Sequence, residues 1–136
     1  MLTGGAVGGL LASAGSGRLV LATTDWADSF ALVEFLIDRP GGRSILSRRL
    51  RVVLQQRRPR TSAAAIGRGR RRAEAGVVFE TLFVTDAFRE ALGRGAPIGE
   101  LRAMAQADGF TPLATRVQRL VTDHHLSAAE AARLLC

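Results

Sequence analysis

Lysine and tyrosine are both missing from this chain of 136 residues, and Cys136 is its single cysteine. One thiol excludes an internal disulfide and any cysteine-based zinc cluster, and a reducing cytoplasm suits such a composition. Without lysine no phosphate-binding loop of the G-x-x-x-x-G-K-[ST] type can be written, and Gly4, Gly5, Gly8, Gly9, Gly15 and Gly17 never fall into its spacing. Aromatic residues make up 5% of the chain, which leaves little for stacking nucleic-acid bases. Residues 1 to 17 carry no charge, but they lack the basic start of an export signal, and their apolar run is too short and too glycine-broken to span a bilayer.

What is present suits one globular domain: 47% of residues are apolar, and a chain of this length buries roughly two thirds of its unfolded surface. The net charge of +7 is concentrated in one segment. Twelve of the nineteen basic residues, all of them arginine, lie between Arg39 and Arg72 with no acid among them. A GC-rich coding sequence explains the arginine-only usage more simply than any demand of folding.

Along the chain, Ala6 to Gly15 reads as a short helix weakened by glycine. Leu19 to Ala22, bounded by Gly17 and Thr23-Thr24-Asp25, reads as a strand buried on both faces, of the kind found in parallel sheets. Little precedes it that could pair with it, so the chain looks as if it starts in the middle of a sheet. Asp25 is placed to cap a helix carrying Phe30, Val33, Leu36 and Ile37, widened by Leu32 and Phe35 and ended by Asp38-Arg39-Pro40-Gly41-Gly42. Ser44 is expected to cap a second helix running to about Arg57, which Pro59 stops.

Arg60 to Glu74 reads as a mobile, like-charged loop, and Val77 to Val84 as a second strand. Glu80 is the misfit in that strand; facing inward, it calls for an arginine partner. Helical segments follow. Thr85 caps one with Phe88, Ala91 and Leu92 inward, and Pro97 or Ile98 opens the next, with Leu101, Met104 and Ala105 before Gly109. Thr111-Pro112 starts a third with Leu113, Val117, Leu120 and Val121, and Ser127-Ala128-Ala129-Glu130 is a capping box for the last. This C-terminal third reads as a small helical bundle.

No serine–histidine–aspartate set or paired carboxylates can be assembled from spacing, so no catalytic residue is assigned. His124-His125 reads as an exposed turn and Trp26 as a packing residue. Asp25 and Asp28 have two readings, helix caps or the remnant of a phosphate or magnesium site. The arginine block likewise reads either as a solvated face or subunit interface, or as a grip on nucleic acid through counterion release.

The order of these pieces resembles the C-terminal half of the motor domain in the type II secretion and type IV pilus ATPase family. Ser16-Gly17-Arg18-Leu19-Val20-Leu21-Ala22-Thr23 is similar to the family's Thr-Gly-His-Leu-Val-Leu-Ser-Thr strand, and Leu36-Ile37-Asp38 to its Leu-Leu-Asp. Gln56-Arg57 falls at its Gln-Arg helix end. Val78-Phe79-Glu80-Thr81-Leu82 resembles Val-Phe-Glu-Leu-Leu, Glu100-Leu101-Arg102 matches Glu-Leu-Arg, and Asp108-Gly109-Phe110-Thr111-Pro112-Leu113 is similar to Asp-Gly-Met-Arg-Thr-Leu. The resemblance covers roughly residues 9 to 135. It departs where the family has Leu-His-Thr-Asn-Asp, since Thr24-Asp25-Trp26-Ala27-Asp28 puts Asp25 in place of a histidine near the nucleotide, and where Glu74-Ala75 replaces a Gly-Arg pair.

The resemblance implies an α/β fold, a partial RecA-like P-loop NTPase sheet over residues 1–84 followed by a helical bundle over 85–136. The chain is expected to be the C-terminal segment of such an ATPase, without Walker A or Walker B elements and inactive on ATP alone. ATP and magnesium are the family's ligands; for this chain the implied remnant is the nucleotide-proximal turn Thr23, Asp25 and Asp28, and the implied interface residues are Gln56 and Arg57. Implied partners are the subunits of a hexameric secretion or pilus ATPase and an inner-membrane platform protein, in the cytoplasm and peripheral to the inner membrane. A small arginine-rich nucleic-acid-binding protein is the alternative.

Overall fold

The computed structural model describes residues 4–26, 28–59 and 77–135; the expected loop Arg60 to Glu74 and Cys136 lie outside these. Among the described residues the order is α1 (Gly4–Gly15), α2 (Ser29–Ile37), α3 (Gly42–Arg49), β1 (Val52–Arg57), β2 (Val78–Phe83), α4 (Asp86–Gly93), α5 (Ile98–Ala107), α6 (Leu113–Thr122) and α7 (Ala128–Leu135). The class is mixed α/β, with β1 and β2 paired antiparallel in a two-stranded sheet. No helix of the described residues is long and apolar enough to cross a membrane.

Two expectations are corrected here. Leu19 to Ala22 is not a strand: the segment lies outside any helix or strand, with Leu19 85% and Leu21 87% exposed. A strand is held by ladder bonds and packing rather than by its own preference. The sheet of the described residues contains β1 and β2 alone, so nothing there pairs with this segment.

The helix expected from Ser44 to Arg57 is two elements. The chain leaves the helical region at Leu50, with ψ 130°, and continues as β1. Val53 and Gln55 are buried while Val52, Leu54 and Gln56 are exposed, the alternation of a strand, and the β-branched pair Val52-Val53 favours it. Nor does Ser44 cap α3. Gly41 does, at φ 72°, and Gly42 behind it touches α2 so closely that an added Cβ would lie 1.9 Å from the Leu36 carbonyl oxygen.

The chain forms two compact units. One contains α1, α2, α3, the first residues of β1, the end of β2, α4 and α5. Its core gathers Phe30, Val33, Leu82, Phe88, Leu92 and Leu101, all essentially fully buried, and Phe30 meets Phe110 edge-on at 5.4 Å between ring centroids. Thr85 Oγ1 accepts from the Phe88 N–H at 3.3 Å and caps α4 as its sequence predicts. Arg89 donates to the Val84 carbonyl at 2.7 Å and pairs with Asp86, tying the end of β2 to the first turn of α4.

The other unit holds the remainder of both strands, α6 and α7, around Val78, Leu113, Val117, Ala131 and Leu134. Ser127 Oγ accepts from the Glu130 N–H at 3.2 Å, as the capping box requires. Glu80 faces inward, and one of its partners is a helix start: its Oε2 accepts from the Leu113 N–H at 2.6 Å. Pro112 is the N-cap position of α6 and its side chain makes no capping bond, so the helix begins at Leu113, one residue later than the sequence suggests. A carboxylate at that end is favoured by the exposed N–H groups and the helix dipole.

Two glycines give opposite outcomes. Gly42→Ala forces backbone apart and should lower stability by on the order of 1–3 kcal/mol, whereas Gly8→Ala, exposed in α1 with nothing within 4 Å of the new Cβ, should raise it by roughly 0.5–1 kcal/mol. Denaturant midpoints of the two variants check both signs.

Candidate functional site

The turn implied as nucleotide-proximal lies just before α2. Helix α2 starts at Ser29 because Asp28, extended at φ −138° and ψ 130°, turns its carboxylate back onto the first orphan N–H groups. Oδ1 accepts from Phe30 N at 2.7 Å and from Ala31 N at 2.9 Å. Asp28 is therefore the cap, and the expectation for Asp25 is corrected: Asp25 stands three residues outside the helix and is exposed.

Arg102, from α5, completes the arrangement. Its Nη2 lies 3.3 Å from both Asp28 oxygens, and its guanidinium sits 4.6 Å above the buried Phe30 ring. Partial burial pushes the Asp28 carboxyl up, but the Ala31 N–H bond, the Arg102 charge, the Phe30 N–H bond and the Arg102 hydrogen bond together outweigh it and hold the group below its usual range. Both side chains keep close to half their surface in water, so the pair itself contributes no more than about 1 kcal/mol.

The three implied residues are thus held differently. Asp28 is fixed by the helix start and by Arg102, while Thr23 and Asp25 are exposed on the irregular segment before it. Trp26 packs on Phe35 at 4.9 Å between ring centroids, in accord with a packing role. An ionised carboxylate already accepting two N–H bonds and facing an arginine is a poor proton acceptor, and its charge opposes an incoming phosphate. No local pattern marks Arg102, since its contact with Asp28 spans 74 positions.

Gln56 and Arg57 are on β1, not at a helix end; Gln56 is exposed and Arg57 half-buried. In the same unit Leu54 and Phe79 are 57% and 43% exposed. His124 and His125 are both exposed after α6, His124 at φ 57°. Among the described residues no group of three His, Cys, Asp or Glu side chains is placed to hold a metal ion.

A second feature of the larger unit has no local signature in the sequence. An open cleft of about 380 Å³ lies at the start of α3, lined by Arg39 and Arg43, the hydroxyl-bearing Ser44 and Ser47, and the backbone of Gly42 and Gly93. Arg39, Gly41 and Gly42, from the turn legible only as a helix stop, form one wall. No protein-family model matches this chain, and none of the curated proteins matches it.

Removing the cap measures its worth. Asp28→Ala should cost about 1 kcal/mol, and Asp28→Asn, which still caps, should cost less. Because the folded carboxyl is held below its unfolded value, the charge contributes stability above about pH 4 and loses it as pH falls through the folded value. The advantage of wild type over Asp28→Asn should accordingly be constant from neutral pH to about pH 5 and shrink toward zero in stronger acid, as urea unfolding at a series of pH values would record.

Proposed function

We propose that this chain is a C-terminal motor segment of a type II secretion or type IV pilus assembly ATPase, one that turns over no ATP by itself and works among the subunits of a hexamer. The observation that carries the reading is the run of family words in family order, from Ser16-Gly17-Arg18-Leu19-Val20-Leu21-Ala22-Thr23 through Val78-Phe79-Glu80-Thr81-Leu82 to Asp108-Gly109-Phe110. The mixed α/β class agrees with it. So does the passage of β2 through a two-residue link into α4.

The lack of any lysine removes the group that grips the terminal phosphates in such enzymes, and Asp25 sets a negative charge where the family has a histidine. The nucleotide is then held by a partner subunit, and Thr23, Asp25 and Asp28 are at most the edge of its site. The position of Gln56-Arg57 on a strand is a departure from the family pattern.

In this reading Leu19 to Ala22 belongs to a RecA-like sheet that is complete only in the assembly. Leu19 and Leu21, two positions apart, present their side chains to solvent until a partner subunit lends a neighbouring strand. The site of action is the cytoplasmic face of the inner membrane, beside the platform protein.

Purified protein with ATP and magnesium should release phosphate at the background rate, and it should copurify with a full subunit of the family that carries a phosphate-binding loop. Leu19→Asp with Leu21→Asp should abolish copurification, since two charges on that segment cannot be buried in a sheet. Hydrolysis by the chain alone, or failure to bind any such subunit, overturns the proposal.

A further inference from the structure

The ion pairs among the described residues use Arg89, Arg94, Arg102 and Arg133, all outside the basic segment. Arg39 and Arg43 have no carboxylate partner among those residues, yet both are held in place. Arg39 Nε donates to the Phe35 carbonyl at 3.3 Å and its guanidinium lies 4.3 Å over the Phe35 ring. Arg43 Nη1 donates to the Leu92 carbonyl at 3.0 Å, at the end of α4. Each guanidinium is anchored by one bond and keeps most of its donors open.

Both arginines line the cleft of about 380 Å³, and no acid lines it with them. Ser44 adds a hydroxyl, and Gly42 and Gly93 line the wall without side chains. Two positive charges without a carboxylate partner on the walls of one cleft favour an anion there. A planar carboxylate satisfies one guanidinium fork, whereas a phosphoryl group presents three or more oxygens and can accept from two forks and a hydroxyl together. Anchoring of both arginines reduces the ordering entropy of such binding.

We propose that this cleft binds a phosphoryl group, with Arg39 and Arg43 as its charged walls and the Ser44 hydroxyl as a neutral donor. The site is separate from the turn at Asp28 and stands whether or not the chain belongs to a secretion motor. The same chemistry is offered by a free phosphate or pyrophosphate and by the phosphodiester backbone of a nucleic acid.

The test is titration of the isotopically labelled full chain, at low ionic strength, with pyrophosphate and separately with a single-stranded oligonucleotide, following amide resonances. A saturable shift of Gly42 and Gly93 is expected, weakened roughly tenfold in Arg39→Gln and in Arg43→Gln and unchanged in Arg51→Gln, whose exposed side chain lies outside the cleft. Arg43→Lys, which keeps the charge without the fork, should fall between. Should Arg43→Gln fail to fold for want of its bond to α4, Arg39→Gln decides alone. Response to pyrophosphate assigns a small phosphate, and response to the oligonucleotide only assigns a phosphodiester chain. Absence of saturable shifts with both ligands, or equal weakening in Arg51→Gln, overturns the proposal.

Discussion

The larger unit depends on the way Asp28 begins α2. By accepting from two N–H groups the carboxylate turns the chain from an irregular segment into a helix, and the first turn of that helix carries Phe30 into the core against Phe88 and Phe110. Arg102 then closes over the same ring while it faces the capping carboxylate. One residue thus sets a helix boundary, positions an aromatic anchor and recruits α5. A negative charge at this place serves folding first, and that serves as a physical reason to look for anion chemistry elsewhere.

Satisfaction of backbone and buried polar groups accounts for the remaining surprises. Val52 to Arg57 becomes a strand because β2 supplies its ladder, while the more apolar Leu19 to Ala22 stays outside the sheet of the described residues. Glu80 is tolerated inside the smaller unit because the start of α6 needs an acceptor that Pro112 does not provide. In each case the deciding partner is distant in sequence.

Charge is distributed by the same logic. Arginines 89, 94, 102 and 133 face carboxylates, whereas Arg39 and Arg43 hold carbonyl oxygens and leave the cleft at α3 positive. An uncompensated basic segment is often a solvated surface; here two of its members are fixed in place, which is what a binding site requires.

Local signals were enough for α1, for the caps of α4 and α7, for the span of β2 and for the inward sides of α4 and α5, because glycine, threonine, serine and hydrophobic spacing act within one turn. They were not enough to tell the Val52-to-Arg57 strand from a helix or Asp28 from Asp25 as the cap, or to bring the start of α6 to Glu80. Nor did they bring Arg102 to Asp28, or Arg39 and Arg43 to one cleft. Sequence by itself determined the mixed class, the concentration of arginine and the want of a phosphate-gripping lysine, which are matters of composition and short range. Which groups meet was decided by tertiary structure alone, since hydrogen-bond acceptors, ion-pair partners and sheet neighbours come from elements tens of residues apart, and their energies exist only once those elements have packed.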